Sequence, residues 1–359
     1  MIKIYQTYIL KSYFKVFSFV FLSFFSLIII LNIFEEISYF KDTESSLLTP
    51  FLLTFLNAPS VVYETFPFIF FISIQFFFIK LLDKEELDIF KKISLSNFKL
   101  ISLISFFSLI LSIFIIIIFY NLSSNLKFMY LEIKNKYSKD NKYLAIVTEN
   151  GLWIKDEING KINIINADKI ENETLKFVTI NQFSKDYKNL ENILADEINI
   201  KNKNWKIKKG NFSNQNGKMV TKENIVFESN FNSKIINTLF SDLSSLNFFE
   251  LRSLKSDYKK IGYSLTNINV HYQRLFSYPF YLTIMTLFGS IVMLNIKRNK
   301  SKIFHIILGV FFSVLIYYIN YFSALLGENE KLPEVLSIWF PLIIISLFCS
   351  IGLVNINEK

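Results

Sequence analysis

The feature that most constrains this chain is a set of six long apolar blocks, three on each side of a polar stretch. A helix that crosses the hydrocarbon core of a membrane needs ~20 predominantly apolar residues. The blocks reach that length, so the sequence predicts six transmembrane helices. In the second block the membrane-deep part is expected from about Val62, because Pro67 lacks a backbone donor and should bend or start the helix. The blocks cover residues 16–34, 51–82, 100–125, 275–296, 303–326 and 335–356.

The polar stretch, residues 127–269, predicts a folded domain of a different class. Short runs of alternating apolar and polar residues recur between glycines, at 161–164, 174–180, 195–201, 204–208 and 225–231. This pattern predicts an antiparallel β sandwich or jelly roll, whereas helical spacing of apolar residues predicts a helix over 233–260. The expected fold is a polytopic α-helical membrane protein with an inserted β-jellyroll domain, divided as 1–126, 127–269 and 270–359.

The distribution of basic residues predicts which side of the membrane each loop occupies. The net charge is +9, which in a soluble chain would suggest a nucleic-acid partner; in a polytopic protein it sets orientation, and no nucleic-acid partner is predicted. Lysine and arginine concentrate in 1–15, 80–99 and 297–302, while 41–49 and 328–334 are acidic or balanced. The positive-inside rule therefore places both termini and residues 83–99 in the cytoplasm, with the β domain on the other side.

The segment 83–99 is short, charged and predicted to be helical. Leu87, Phe90 and Lys91 share one side at helical spacing, while Glu85 and Glu86 present carboxylates. One hypothesis is that the segment plugs into a cytoplasmic partner and passes its motion to the membrane helices. A solvated charged loop is an equally good interpretation of these residues alone.

Charged residues also lie at the ends of the apolar blocks opposite this segment. They are Glu35, Glu36 and Lys41 after block one, Glu64 in block two and Arg274 before block four. Because a charge deep in a bilayer costs ~2.5–3.5 kcal/mol, such residues face water, protein or a polar ligand. They are either interfacial anchors or part of a lateral opening for a phosphorylated lipid. In the second case Lys41 and Arg274 contact phosphates, and Phe66 and Phe68 contact acyl chains.

The sequence gives little support to an enzyme. It contains no P-loop pattern and no G-x-S-x-G or H-E-x-x-H pattern. Its histidines, His271 and His305, have no neighbouring ligand residue at metal-binding spacing, so no metal or other cofactor is predicted. Cys349 lies within an apolar block. Three hypotheses follow: a lipid-export permease, a membrane-anchored scaffold whose β domain binds another protein, and a lipid-modifying membrane enzyme.

Four stretches together resemble the LptF/LptG family of lipopolysaccharide-export permeases. One stretch, LDKEELDIFKKISLSN, resembles the family's coupling helix between spans two and three. Another, PSVVYETFPFIF, resembles the family's entry to span two. A third stretch, ENGLWIKDEINGKINIINADKI, resembles the first strands of the family's periplasmic jelly roll. The fourth, LNFFELRSLKSDYKKIGYSLTNINVHYQRLFSYPF, resembles the family's approach to span four. The NGLW and HYQ segments are more similar to LptG than to LptF.

The resemblance implies a subunit that works with others in the bacterial inner membrane, as a multi-pass protein. It implies a heterodimer with an LptF-like permease and a dimer of LptB-like ATPases that binds ATP and docks on the coupling helices, here about 83–98. Lipopolysaccharide would enter laterally and pass to LptC-like and LptA-like bridge proteins. By motif position, Glu86 would be the coupling carboxylate, with Leu87 and Phe90 docking beside it. The implied ATPase-coupling set is Glu85, Glu86, Leu87, Phe90 and Lys91, and the lipid-binding set is Glu35, Glu36, Lys41, Phe66, Phe68 and Arg274.

Two departures from the family pattern affect these expectations. The small Ala-Ala-Gly part of the coupling motif is replaced by Lys92, Ile93 and Ser94, so the approach of the helix end to the ATPase differs. Asn32 stands roughly where some relatives place a lysine for the lipid headgroup. An LptF-type subunit and a non-transporting scaffold remain the alternatives.

Overall fold

The computed structural model describes residues 3–41, 46, 48–92, 95–137, 152–171, 173–214, 219–233, 235–236, 242–261, 263–295 and 301–357. The chain divides into two compact units. The helical unit comprises Met1–Lys127 and Thr266–Lys359, and the β unit comprises Phe128–Leu265. The predicted boundaries were 126/127 and 269/270.

The helices confirm the predicted number of spans. Six segments of the described chain are long and apolar enough to cross a membrane, one of them formed by α4 and α5 with a π-helix, Ile115–Tyr120, between them. In chain order the α-helices are α1 (Ile4–Phe40), α2 (Thr49–Asp83), α3 (Glu86–Lys92), α4 (Asn97–Phe114), α5 (Asn121–Tyr137), α6 (Phe248–Ile261), α7 (Thr266–Leu294), α8 (Lys302–Glu328) and α9 (Glu334–Asn357).

Each of the six described spans is longer than the apolar block that predicted it. The 37 residues of α1 rise about 55 Å, well beyond the ~30 Å hydrocarbon core, because the polar residues that flank block one continue the helix. The second span is one helix that contains both Pro59 and Pro67. Pro67 therefore does not start the span, and the other expectation, a bend at Pro67, stays a prediction.

The helices pack around a core rich in aromatic side chains. At its centre, α7 packs against α2, α4, α8 and α9. Near the middle of the bundle, Phe66, Phe70 and Phe71 of α2 are buried in one cluster with residues of α1 and α7. A second cluster lies at the end of the bundle where α1 begins and α2 ends, and it contains Ile9, Phe77 and Leu81.

The β unit confirms the predicted inserted antiparallel domain. Its six strands form one sheet in the order β1-β2-β3-β4-β5-β6, with each strand antiparallel to the next. One row of directly paired, buried side chains crosses five strands: Ile154, Ile165, Ile180, Ile193 and Phe212. The strands are β1 (Leu152–Ile158), β2 (Lys161–Glu171), β3 (Thr174–Ser184), β4 (Asn189–Asn199), β5 (Asn204–Asn214) and β6 (Met219–Glu228).

The sheet curls so that its two edge strands meet at one end. Asp156 of β1 is buried and accepts hydrogen bonds from the Ser229 hydroxyl (2.8 Å) and from the backbone N–H (3.1 Å) and side-chain amide (2.8 Å) of Asn230, just after β6. The indole of Trp205 is buried on the inner face and donates to the carbonyl oxygen of Phe231 (2.8 Å). The apolar side of the sheet thus lines the inside of the curl.

The predicted helix over 233–260 is interrupted. Asp242 caps a 3-10 turn, Leu243–Ser245, by accepting from the Ser244 backbone N–H (2.9 Å). Asn247 then caps α6 by accepting from the N–H groups of Phe249 and Glu250, and its own N–H donates to the Glu250 carboxylate (2.9 Å). This reciprocal arrangement starts a new helix. Gly262 follows the predicted helix in the sequence and is expected to cap its end, but it lies outside the described residues.

Candidate functional site

The charged segment between α2 and α4 forms one short helix, α3, at the end of the bundle where α1 begins. It is shorter than the predicted 83–98. Glu85 has a left-handed backbone (φ 54°) that separates α3 from α2. The Ser96 hydroxyl accepts from the Lys99 N–H (3.3 Å) and so caps α4. Among the described residues between these two boundaries, the helical segment is Glu86–Lys92.

The side chain of Glu86 turns inward toward α1. Its Oε1 accepts a hydrogen bond from the hydroxyl of Tyr8 (2.7 Å), and Lys84 Nζ lies 3.9 Å from the same oxygen. Only 14% of the side chain is exposed. The second oxygen, Oε2, is buried without a hydrogen-bond partner among the described residues. Glu86 therefore links α3 to the first turns of α1.

Phe90 and Leu87 also face the interior of the chain. Phe90 is 8% exposed and belongs to the cluster that includes Ile9, Tyr13 and Leu81, and Leu87 packs against that cluster. The Phe90 carbonyl accepts from the N–H of Leu95 (3.0 Å). These two apolar residues anchor α3 to the bundle, so a direct contact with a partner would require them to leave this packing.

The outer face of α3 is formed by other residues. Glu85, Asp88 and Lys92 are exposed, and Ile89 is 53% exposed. The side chain of Lys91 lies outside the described residues. The outer face thus presents one apolar side chain, Ile89, between charges of both signs, and the sequence pattern did not single it out.

Polar contacts hold the other helices together at this end. The ammonium of Lys302, at the start of α8, pairs with Asp83 at the end of α2. Lys80 Nζ donates to the hydroxyl of Ser12 (2.9 Å) and joins α2 to α1. The rest of the basic loop predicted at 297–302 lies outside the described residues. α3 is thus a short helix with its own boundaries, and it lies beside long helices that these polar contacts hold together.

At the opposite end, the predicted lipid-binding residues of α1 have different surroundings. Glu35 and Lys41 are exposed, whereas Glu36 is 1% exposed. Asn32, one turn earlier, is also buried. The last turns of α1 therefore bury one carboxylate and leave a carboxylate and an ammonium accessible.

Phe66 and Phe68 also differ in exposure. Phe66 is 2% exposed and stacks with Phe21 of α1 (ring centroids 5.8 Å apart) and with Phe119 edge to face (5.2 Å). Phe68 is half-buried and lies beside Tyr317 of α8 (5.2 Å). Phe66 is therefore packed within this chain, and Phe68 keeps part of its ring accessible.

Arg274 takes part in a polar seam that the sequence did not predict. Its guanidinium pairs with Glu328 of α8 (2.9 Å). In the same seam Thr266 donates to Glu330 (2.9 Å) and Asn269 donates to Glu334 (3.0 Å). From the sequence, the acidic turn at 328–334 indicates only the side of the membrane on which it lies. Its carboxylates in fact fasten the start of α7 to the turn between α8 and α9.

The π-helix Ile115–Tyr120 places a second polar contact inside the bundle. Tyr120 is 2% exposed, and its hydroxyl lies 3.1 Å from Nε2 of His271 on α7. π-helices are rare and are frequently found at functional sites. In the sequence, His271 drew attention only as a residue without a neighbouring metal ligand. A run of apolar residues gives no signal for a π-helix, so this pairing could not be predicted.

A comparison with protein families now bears on these observations. The family model described as lipopolysaccharide export system permease LptF/LptG matches residues 7–355. The chain belongs to the LptF/LptG family. No curated protein matches the sequence. The match runs through both units, including α3 and the whole of the curled sheet.

Membership in the LptF/LptG family confirms the resemblance seen in the four sequence stretches. With the six spans, it identifies a multi-pass permease component of lipopolysaccharide export in the inner membrane, a non-enzymatic role. LptF/LptG membership implies an export complex with a partner permease and an ATPase. It does not distinguish LptG from LptF, and the site residues stay predictions.

Proposed function

We propose that this chain is the LptG-type permease subunit of an ATP-driven transporter that extracts lipopolysaccharide from the inner membrane. It would pair with an LptF-like permease, and a dimer of LptB-like ATPases would supply the energy. The family match over residues 7–355 supports the permease assignment, and the NGLW and HYQ segments favour the LptG type. The six spans and the inserted sheet, in the expected order along the chain, support it.

The proposed orientation places both termini and α3 in the cytoplasm and the β unit in the periplasm. The basic residues near α3, such as Lys80, Lys84 and Lys302, support this assignment, and so does the single basic residue, Lys331, in the sequence of the 328–334 turn at the other end. In this orientation α3 is accessible to a cytoplasmic ATPase. The curled sheet with its apolar inner face is then available to the lipid on the opposite side.

We assign the ATPase contact to the outer face of α3. Asp88, Ile89 and Lys92 are exposed there, together with Glu85 at the start of the helix. In the arrangement we propose, Glu86, Leu87 and Phe90 stay on the inner face, where they connect the docked helix to the bundle. The backbone of Lys91 lies on the same helix.

The lipid would enter near the end of the bundle opposite α3. Lys41 is exposed there, and Arg274 is half-exposed although it is paired with Glu328. A phosphate on the lipid headgroup would compete with the Glu328 carboxylate for the Arg274 guanidinium, which binds both groups in the same geometry. Glu35 and Glu36 would shape the polar part of this entry, and Phe68 would contact acyl chains. Phe66 would support that surface from within.

Beyond the membrane, the lipid would pass along the apolar side of the curled sheet to LptC-like and LptA-like bridge proteins. An open sheet edge offers main-chain groups with which a further sheet can pair. The edge strands of the described sheet are β1 and β6.

Co-purification tests the proposal. The tagged wild-type chain is expected to retain an ATPase, and Ile89→Asp is expected to release it because a carboxylate replaces the exposed apolar contact. Ile4→Asp is the matched control, since Ile4 is 91% exposed at the same end of the bundle. If the wild-type chain retains no ATPase, the transport proposal fails and a scaffold remains. If both variants behave alike, the assigned face is wrong.

A further inference from the structure

We propose that one side of α6 docks on the surface of an anionic lipid bilayer, with Phe249 inserted among the headgroups and with Arg252 and Lys259 bound to lipid phosphates. This interaction goes beyond the proposed transport function and does not depend on it, because it requires only that the six apolar helices cross a membrane. Its basis is the pattern of exposed residues along α6 and the short connection between α6 and α7.

The two sides of α6 have different surroundings. Leu251 and Leu254 are buried on one side. Tyr258 lies on that same side, and its ring packs edge to face against Tyr263, with ring centroids 5.7 Å apart. Tyr263 packs in turn against Phe231 (6.3 Å), just after the last strand of the sheet. These contacts fix the rotation of α6 on the β unit, so the opposite side is presented outward.

The outward side of α6 combines a large aromatic ring with two basic groups. It is formed by residues that follow one another at intervals of three, four and three positions, which places them on one side of a helix: Phe249, Arg252, Ser256 and Lys259. All four are exposed, and Phe249 is 81% exposed. Within the described part of the chain, neither Arg252 nor Lys259 forms an ion pair. Both charges are therefore available to an outside group.

This combination of residues matches the chemistry of an anionic lipid surface. Helices that lie in a membrane interface bury aromatic side chains at the headgroup boundary and place lysine or arginine beside anionic lipids. Each basic residue near such a surface strengthens binding by about fivefold. The acidic residues Glu250 and Asp257 are seven positions apart, on a different side of α6 from Arg252 and Lys259. They therefore do not oppose the approach of the two basic groups to lipid phosphates.

The chain itself keeps α6 within reach of the membrane. The hydroxyl of Thr266, the first residue of α7, donates to Glu330 in the turn between α8 and α9 (2.9 Å). Those two membrane helices have 27 and 24 residues and rise about 41 Å and 36 Å, so the turn between them lies near the edge of the ~30 Å hydrocarbon core. The five peptide steps from Ile261, the last residue of α6, to Thr266 span at most about 18 Å. The lipid headgroups on the side where α7 begins are therefore the nearest large surface for α6.

The test measures the depth of α6 in vesicles that contain the full chain. Ser256→Cys supplies an accessible thiol for a bimane label on the outward side, since Cys349 is buried. The vesicles consist of phosphatidylcholine and phosphatidylglycerol in equal parts, with or without nitroxide on the headgroups. The label should emit at shorter wavelength than in water and be quenched by the nitroxide lipids. A label on Tyr187→Cys, at a 67% exposed position in the turn between β3 and β4, should show neither effect.

Two sets of variants assign the effect to the named side chains. Arg252→Gln combined with Lys259→Gln should lower the ratio of docked to free α6 by about twenty-five-fold, because each basic group contributes about fivefold. Phe249→Ser should lower the same ratio by about tenfold, through loss of the inserted ring. Lys185→Gln combined with Lys188→Gln, at exposed positions in the turn between β3 and β4, is the matched control and should change nothing. Because all these side chains are exposed, the fold is expected to be kept.

Several outcomes would overturn the proposal. An unquenched label at position 256 would show that α6 does not reach the lipid, and equal quenching at position 187 would show that α6 is not the specific contact. Equal quenching in vesicles of phosphatidylcholine alone would remove the role of the basic groups. A label at 256 that is shielded from aqueous iodide in native membranes, yet unquenched by the lipids, would identify a protein as the occupant. None of these results bears on the proposed transport function, because neither ATP hydrolysis nor lipid transfer is measured.

Discussion

The hydroxyl of Tyr278 on α7 donates a hydrogen bond to the carbonyl oxygen of Tyr63 on α2. In an α-helix this carbonyl would accept from the N–H of the residue four positions later, which here is Pro67. Proline has no N–H, so the helix itself leaves the acceptor without a donor. The two rings also stack, with centroids 4.7 Å apart. A neighbouring helix thus supplies the donor that allows α2 to run through Pro67 inside the bundle.

Tyr278→Phe should therefore destabilise the protein by about 1–2 kcal/mol, because a buried carbonyl loses its donor while the stacked ring remains. In a Pro67→Ala background the restored N–H occupies the Tyr63 carbonyl. Tyr278→Phe should then cost much less. The measurement is a double-mutant cycle on unfolding of the purified chain in detergent. Equal costs in the two backgrounds would show that Tyr278 does not compensate for Pro67.

The same arrangement recurs on α9 and gives an independent prediction. Ser323 of α8 donates to the carbonyl oxygen of Ser337 (2.6 Å), four residues before Pro341. Ser323→Ala should lower stability by ~1 kcal/mol with Pro341 present and by less with Pro341→Ala. Ser346→Ala is the control, since its exposed hydroxyl bonds only within its own helix, to the Ile343 carbonyl. A loss of stability as large in the control would contradict the assignment.

Close packing of α2 on α8 depends on Gly309. A β-carbon at this position would collide with the side-chain amide of Gln75 and would lie 2.8 Å from the ring of Phe71. Gly309→Ala should therefore destabilise the bundle by about 1–3 kcal/mol through overpacking. Ile307→Ala, at a 63% exposed position two residues away, should have a small effect. Thermal unfolding in detergent distinguishes the two, and equal melting temperatures for Gly309→Ala and the wild type would refute the close contact.

The closure of the β unit depends on Asp156. Asp156→Ala leaves the hydroxyl of Ser229 and two N–H groups of Asn230 without their acceptor, so a loss of about 2–3 kcal/mol is expected. Asp156→Asn keeps one acceptor and should lose less. Tryptophan fluorescence during unfolding reports the change, because Trp205 is buried on the inner face. Asp168→Ala on the exposed side of β2 is the matched control, and a similar loss there would argue against a special role for Asp156.

The six spans and the inserted antiparallel domain could be predicted because they depend on the length and period of apolar runs. Those signals do not mark where a helix ends once its residues become polar. α1 therefore extends to Ile4 and Phe40, beyond the apolar block at 16–34. The sequence could not show that α2 continues through Pro67, because the compensating donor comes from Tyr278, more than two hundred positions away in the sequence.

The candidate site illustrates the same limit. The sequence correctly placed Leu87 and Phe90 on one side of a helix, but it could not show whether that side faces a partner or the chain itself. The answer depends on α1, whose Ile9 and Tyr13 belong to the same cluster as Phe90. The Arg274–Glu328 pair likewise joins residues that are near in space and far apart in sequence.

ATP-dependent transfer of lipopolysaccharide from proteoliposomes to an external acceptor tests the central claim most directly. Vesicles would contain the partner permease and the ATPase, with or without this chain, and labelled lipid in the acceptor would be counted. The account predicts transfer only when this chain and ATP are both present, and its loss with Ile89→Asp but not with Ile4→Asp. Equal transfer with and without the chain would contradict the account.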